Sequence, residues 1–149
     1  MINFKSGEVI CRPARQVFAF LSTPENDVRW HYGTLAVSTL TEGIPSKGTF
    51  FRSIGHWMGR RNLSTFEVTE YQPDQKYGFK SLSGPLSSQT SYSLGMADNG
   101  CTTIEISIQA DVVNFFQMDE GILEKKMKKQ LKEDLGMLKG LLEANSFAG

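Results

Sequence analysis

The chain has 149 residues, of which 40% are hydrophobic and 21% are charged, a composition typical of a folded globular domain. Sixteen basic and sixteen acidic residues give a formal net charge of zero, so no overall field favours nucleic acid or an anionic membrane surface. We therefore predict a single domain over residues 1–149 with no nucleic-acid partner.

The N-terminal segment and the two cysteines indicate the cellular compartment of the protein. Residues 1–10 lack a basic stretch followed by an apolar core, and no apolar run approaches the roughly 20 residues that span a bilayer. Cys11 and Cys101 are far apart, and no second cysteine or histidine stands at metal-ligand spacing from either. We predict a cytoplasmic protein without a membrane span, with two free thiols and no metal site.

The first part of the chain predicts one strand and two short helices. Residues 4–10 can form a strand, after which Pro13 opens a short apolar helix. A second helix start follows in the Ser-Thr-Pro sequence at residues 22–24 and runs through acidic residues towards Trp30.

From about residue 36 to 110 the pattern changes to short strands between turn residues, which predicts an antiparallel sheet. The clearest pairing joins residues 92–96 to residues 104–110, because both segments alternate with period two. The connection between them ends in Asn99 and Gly100, which tolerate a positive φ, so we predict a hairpin.

The strand after Gly48 is ambiguous, because both of its faces mix apolar and polar side chains. One face would carry Phe50, Arg52, Ile54 and His56, and the other would carry Phe51, Ser53, Gly55 and Trp57. The residue pattern alone leaves the inward face open.

The last predicted element is a long amphipathic helix over residues 119–144, which at 1.5 Å per residue is about 39 Å long. Its apolar stripe consists of Leu123, Met127, Leu131, Leu135, Leu138, Leu141 and Leu142. Asp134 falls inside this stripe, where a buried charge is costly unless it is paired or neutralised. We predict that Asp134 faces inward, while a rim position paired with a surface cation stays open.

Two glycines, Gly136 and Gly140, lie roughly opposite the stripe of this helix. In a helix interior each costs about 1 kcal/mol relative to alanine. A close contact, for example with the second chain of a homodimer, would compensate for that cost.

Several motifs, taken in order, resemble one known family. They are RPARQVFAFLSTPENDVRWH at residues 12–31, Gly48-Thr49, Gly59-Arg60-Arg61, EVTEYQP at residues 67–73, YGF at residues 77–79 and Leu141-Leu142-Glu143. Over nearly its whole length the chain resembles the polyketide cyclase/dehydrase and lipid-transport family of the START-like or Bet v 1-like (SRPBCC) superfamily. The resemblance implies an α+β helix-grip fold, in which a curved antiparallel sheet wraps around a long C-terminal helix and two short helices follow the first strand.

The resemblance also implies a cavity between sheet and C-terminal helix that holds an apolar small molecule. It places Phe51, Ser53, Gly55 and Trp57 on the inward face of the ambiguous strand. We predict that the following residues line or border the cavity: Trp30, Phe51, Trp57, Phe66, Tyr77, Phe79, Tyr92, Met127, Leu131, Asp134 and Leu138. Any one aromatic ring could equally be ordinary core, but the Tyr77 and Tyr92 hydroxyls need partners when buried.

Three functions stay open at this point. The first is binding or transport of a small hydrophobic molecule, such as a lipid, a polyketide or an aromatic compound, with no cofactor, and it makes the weakest demands on single residues. The second is a cyclase- or dehydratase-type enzyme whose acid/base candidate is Asp134, aided by a histidine or arginine from the sheet. The third is a protein-interaction module of the chaperone-activator kind. His31 and His56 are predicted at the surface or at turn ends, with a cavity mouth as the alternative.

Overall fold

One curved antiparallel sheet dominates the structure and carries a long helix along its inner face. The computed structural model of the chain describes residues 1–57, 59–84, 86–111 and 119–144, and the side chain of Trp57 lies outside this description. The strands are β1 (Ile2–Ile10), β2 (Thr34–Thr39), β3 (Phe50–Trp57), β4 (Arg60–Gln72), β5 (Lys76–Ser83), β6 (Ser87–Met96) and β7 (Thr102–Asp111). Their spatial order is β1-β7-β6-β5-β4-β3-β2, so β1 and β2 form the two edges.

The helices confirm the predicted order of elements. They are α1 (Ala14–Leu21), α2 (Asp27–Trp30) and α3 (Glu120–Glu143). The predicted second short helix is a 3₁₀ turn at Pro24–Asn26 that continues directly into α2. The Asp119 carboxylate caps α3 by accepting a hydrogen bond from the backbone N–H of Ile122 at 3.1 Å. No helix in the described ranges is long and apolar enough to cross a bilayer.

The apolar stripe of α3 is the face that packs against the sheet. Its buried members are Leu123, Leu131, Leu135, Leu138 and Leu142, with Met127 and Leu141 half-buried at the margins. Burying a leucine side chain stabilises a fold by about 1.5–3 kcal/mol, so this seam is a main tie between helix and sheet. Asp134 lies in the same stripe and is only 7% exposed, which confirms the prediction that it faces inward.

The observed burial resolves the ambiguous strand. Phe51 on β3 is 1% exposed, whereas Phe50 is 38% exposed. Because side chains alternate along a strand, Ser53 and Gly55 share the inward face with Phe51. The face implied by the family resemblance is therefore the one that faces inward.

The predicted hairpin is confirmed between β6 and β7. The two strands pair from Ser87 with Asp111 to Met96 with Thr102, and a 3₁₀ turn at Asp98–Gly100 joins them. Asn99 has a φ of 61° and Gly100 a φ of 75°. Both values lie in the left-handed region that the Asn-Gly sequence favours.

The prediction of two free thiols is wrong, because Cys11 and Cys101 form a disulfide. The pairing of β1 with β7 places Ile10 opposite Thr102, and the next position outward on each strand is a cysteine. The two cysteines are 90 residues apart in the chain. Strand register brings them together, and spacing in the sequence carries no record of that register.

Beside the disulfide, a set of polar contacts holds the end of α3; we name Cys11, Arg12, Lys139 and Glu143 the C-terminal clamp. The Arg12 guanidinium donates from Nε to the carbonyl oxygen of Leu142 at 2.7 Å and from Nη2 to that of Glu143 at 3.1 Å. The Cys11 backbone N–H and Lys139 Nζ each donate to Glu143 Oε2 at 2.7 Å. These donors satisfy groups that a helix end leaves unpaired, and the guanidinium sits at the negative end of the helix dipole.

The outward face of α3 carries Gly136 and Gly140. A Cβ atom at either position would meet no atom within 4 Å, so no contact within the described part of the chain requires glycine there. A compensating contact with a partner chain stays a prediction.

Candidate functional site

A pocket of about 170 Å³ lies between α3, strands β1 and β7, and the segment that joins α2 to β2. We name it the α3 pocket, and its lining residues are Phe4, His31, Gly33, Thr34, Ile108, Met127, Gln130, Leu131 and Asp134. Phe4 and Ile108 are cross-strand partners on the inner face of the sheet. Met127 and Leu131 lie one helical turn apart on α3 and complete the apolar wall.

Asp134 is the acidic residue of the α3 pocket. Its Oδ1 accepts a hydrogen bond from Gln130 Nε2 at 2.9 Å and another from the backbone N–H of Tyr32 at 3.2 Å. Its Oδ2 lies 3.6 Å from Nδ1 of His31, which is longer than a hydrogen bond. Both hydrogen bonds that the described residues donate to this carboxylate therefore end on Oδ1, and Oδ2 keeps its acceptor capacity.

His31 connects the pocket to the aromatic interior of the sheet. It directly follows α2, and its backbone N–H donates to the carbonyl oxygen of Asp27 at 2.9 Å. Its Nε2 lies 3.4 Å from Oη of Tyr92, and its ring packs against Trp30 with the centroids 3.8 Å apart. The side chains of Asp134, His31 and Tyr92 thus form a line of ionisable groups from the pocket into the core.

Asp27 is a second buried carboxyl close to His31. It is the first residue of α2 and is 8% exposed, and its burial raises the pKa to about 7. The charge of His31 lowers this pKa, and that of Glu25 raises it. A carboxyl that titrates near neutral pH can hold or release a proton under physiological conditions.

Six of the predicted cavity aromatics pack ring against ring on the inner face of the sheet. We name these six the aromatic cluster: Trp30, Phe51, Phe66, Tyr77, Phe79 and Tyr92. The centroid distance is 5.2 Å between Phe51 and Phe66 and 5.4 Å between Phe66 and Phe79. Such pairs contribute about 0.5–1.5 kcal/mol each beyond the burial of their area. None of the six rings lines the α3 pocket.

Two polar atoms of the aromatic cluster, Trp30 Nε1 and Tyr77 Oη, are buried without a hydrogen-bond partner among the described residues. Burial, with a further contribution from the charge of Asp27, raises the pKa of Tyr77 and Tyr92 above that of an ordinary tyrosine. Both phenols are therefore neutral at physiological pH. The partner expected for a buried hydroxyl is present for Tyr92, where it is His31.

The structure separates the predicted site residues into two groups. Those that line the α3 pocket are Met127, Leu131 and Asp134. His31 also lines the α3 pocket, which agrees with the alternative of a position at a cavity mouth. His56 is exposed on β3. The histidine beside Asp134 therefore comes from the end of α2. A catalytic partner from the sheet stays a prediction. Leu138 is fully buried in the α3 seam, and the side chain of Trp57 lies outside the described residues.

Sequence reasoning missed several members of the site. Gln130 stands four residues before Asp134, a spacing at which helix side chains touch, so helical periodicity could have found it. Phe4 and Ile108 alternate inward on their strands, but only the register shows that they face the middle of α3. Asp27 is one of the acidic residues of the predicted second helix start, and its burial depends on how α2 packs, which the sequence does not show.

The arrangement is suited to hydrogen bonding and to proton transfer. Asp134 offers a carboxylate oxygen, and His31 can donate or accept a proton at either nitrogen. Across residues 1–57, 59–84, 86–111 and 119–144, no three histidine, cysteine, aspartate or glutamate side chains come together as a metal ion would require.

Comparisons with known proteins bear on the fold and the family. The family described as polyketide cyclase / dehydrase and lipid transport matches residues 1–143. A START superfamily protein from Mycobacterium smegmatis superposes with a TM-score of 0.82 at 13% identity, covering 96% of this chain and 98% of that one. The Zhui aromatase/cyclase from Streptomyces sp. R1128 gives a TM-score of 0.76 at 16% identity, covering 97% and 94%. No curated protein matches the chain. The likeness confirms the helix-grip fold.

Proposed function

Because the chain belongs to the polyketide cyclase/dehydrase and lipid-transport family, we propose that it binds or carries a small hydrophobic ligand in the α3 pocket. The observation that carries this proposal is the apolar wall between sheet and α3, with Asp134 and His31 on one side of it. Proteins of one fold serve many functions, so the support has to come from this pocket and not from the fold.

The volume of the pocket limits what it can hold. Sites for drug-sized ligands are roughly 300–1,000 Å³, whereas the α3 pocket is about 170 Å³. An engineered apolar cavity of about 150 Å³ binds benzene. One aromatic ring or a short alkyl chain therefore fits, and a larger lipid or polyketide would insert one end and leave the rest at the mouth.

A titration with toluene, followed by methyl NMR, tests this proposal. We expect shifts centred on Ile108, Met127 and Leu131, which line the pocket. Met127→Trp should fill the pocket and abolish these shifts, whereas Met137→Trp, on the exposed face of the same helix, is the matched control. Toluene shifts that survive Met127→Trp, or that scatter over the surface, would exclude the α3 pocket as the binding site.

Native mass spectrometry of the protein purified from its own host addresses the ligand itself. A co-purifying small apolar molecule that is lost in Met127→Trp supports the carrier function. Equal amounts of bound molecule in the two proteins would point to a different site.

The line from Asp134 through His31 to Tyr92 favours a second candidate function, acid–base catalysis of the cyclase or dehydratase type. Exchange of the methyl protons of acetophenone in deuterated water is a direct probe of such chemistry. In that exchange a base removes a proton from carbon and the solvent returns a deuteron to it. Exchange catalysed by the wild type and lost in His31→Gln would support an enzyme, and no rate above buffer would count against it.

The cytoplasmic location stays a prediction. Disulfides are rare in reducing compartments, so the bridge between Cys11 and Cys101 weighs against it. Thiol trapping in the native host decides the point: two trapped thiols would support the cytoplasm, and a protected pair would support an oxidising compartment.

A further inference from the structure

The proposed function places the ligand in the α3 pocket. On that premise, Oδ2 of Asp134 indicates which polar group the ligand carries. We propose that this pocket is selective for a small primary amine. Its ammonium group binds Oδ2 of Asp134, and its apolar body lies among Phe4, Ile108, Met127 and Leu131.

The hydrogen bonds of Asp134 define which ligand group fits. Gln130 and Tyr32 already donate to Oδ1, so the carboxylate is held in place and aimed by the protein. Among the described residues, the imidazole of His31 lies beside Oδ2, at 3.6 Å. A hydrogen-bond donor on the ligand therefore satisfies Oδ2 of the carboxylate. A carbonyl or ether oxygen on the ligand would place one hydrogen-bond acceptor against another.

The buried charge of Asp134 favours an ammonium over a neutral donor. The Asp134 carboxylate is less than a tenth exposed, and its Oδ2 lies 3.6 Å from the His31 imidazole. A buried carboxylate without full compensation is costly, and an ammonium supplies both the charge and the hydrogen bonds. A ligand acid would place a second negative group beside Asp134, so the pocket disfavours it.

Three probes of nearly equal shape test this inference on the whole chain: benzylamine, benzyl alcohol and toluene, titrated near neutral pH with methyl NMR as the readout. A charge-assisted hydrogen bond is about twice as strong as a neutral one, so benzylamine should bind at least about tenfold tighter than benzyl alcohol. Toluene should bind most weakly. All three should shift Ile108 and Leu131, since these residues line the pocket.

Asp134→Asn keeps the shape of the side chain and removes its charge, so it should abolish the preference for benzylamine. Glu133→Gln removes a charge from the exposed face of the same helix and should leave the preference unchanged. If Asp134→Asn does not fold, the ranking of the three probes on the wild type decides alone.

The outcomes separate this inference from the proposed function. Equal or tighter binding of benzyl alcohol or toluene would overturn the amine selectivity and leave the apolar pocket standing. Failure of all three probes to shift pocket residues would overturn both. A benzylamine effect confined to exposed carboxylates, with no shift at Leu131, would also overturn the amine site.

Discussion

Polar side chains act in different ways at the C-terminal clamp and at the α3 pocket. At the C-terminal clamp, Arg12 reaches the carbonyl of Leu142 at 2.7 Å and Lys139 reaches the carbonyl of Val9 at 2.6 Å. At the α3 pocket, the contacts of Asp134 are 2.9, 3.2 and 3.6 Å long. The clamp contacts are short hydrogen bonds, whereas none of the described residues donates a hydrogen bond to Oδ2 of Asp134.

This difference separates structural from functional polar groups. A buried polar group that is only partly satisfied costs stability, so a fold keeps one where a ligand or a reaction uses it. Arg12 donates to a carbonyl at the end of α3 that the helix itself leaves unpaired, and Lys139 donates to the carbonyl of Val9 on the edge strand β1. We infer that substitutions at the clamp lower the stability of the fold and leave ligand binding unchanged. Substitutions at the pocket should weaken ligand binding and leave the stability nearly unchanged.

The largest expected effect comes from the disulfide beside the clamp. Replacing Cys11 and Cys101 together by serine should lower the free energy of unfolding by about 2–4 kcal/mol, because the bridge restricts the unfolded chain. Urea denaturation measures this loss, and toluene binding at the pocket should be unchanged. Reduction of the wild type with dithiothreitol should reproduce the loss, and a variant as stable as the oxidised wild type would contradict the assignment.

The next effect is a pH dependence of stability that comes from Asp27, which does not line the α3 pocket. Burial raises the pKa of Asp27 from 3.8 to about 7, so the folded state holds a proton that the unfolded state releases. The proton on Asp27 stabilises the fold fully below pH 3.8, the pKa of this carboxyl in the unfolded chain, and the stabilisation is lost as the pH rises towards 7. Between about pH 5 and pH 8 the loss is on the order of 2–3 kcal/mol.

Comparison of the wild type with Asp27→Asn isolates this carboxyl, since the variant cannot titrate. Urea denaturation at both pH values should show a smaller fall in stability for the variant than for the wild type. Parallel pH profiles for the two proteins would show that Asp27 is not the titrating group.

A smaller loss is expected from the guanidinium of the clamp. Arg12→Met keeps the length of the side chain and removes its hydrogen bonds to the end of α3, and it should cost about 1–2 kcal/mol. Arg15→Met, at an exposed position of α1, is the control and should change stability by less than about 0.5 kcal/mol. Similar losses in the two variants would mean that the helix end needs no clamp.

The smallest change in stability is expected for a substitution of Asp134 in the α3 pocket. Asp134→Leu should leave the free energy of unfolding within about 1 kcal/mol of the wild type or raise it, because the cost of burying a charge is removed together with the two hydrogen bonds that the charge accepts. Binding of benzylamine should nevertheless be lost. Unchanged amine binding, measured by isothermal titration calorimetry, would rule out Asp134 as the ligand anchor.

The sequence by itself determined the elements whose signals are local. The stripe of α3 follows from helical periodicity. The β6–β7 hairpin follows from alternation and the Asn99-Gly100 turn. The inward position of Asp134 could also be predicted, because a residue inside a seven-member stripe leaves the core only if the whole helix rotates.

Tertiary structure alone decided which of these elements meet. The disulfide joins residues 90 positions apart, and the hydrogen bond from Tyr32 to Asp134 spans 102. The position of His31 beside Asp134 and the raised pKa of Asp27 likewise depend on how α2 packs against the sheet and α3. Register and packing arise from the sum of many weak contacts between distant segments, so no local pattern encodes them.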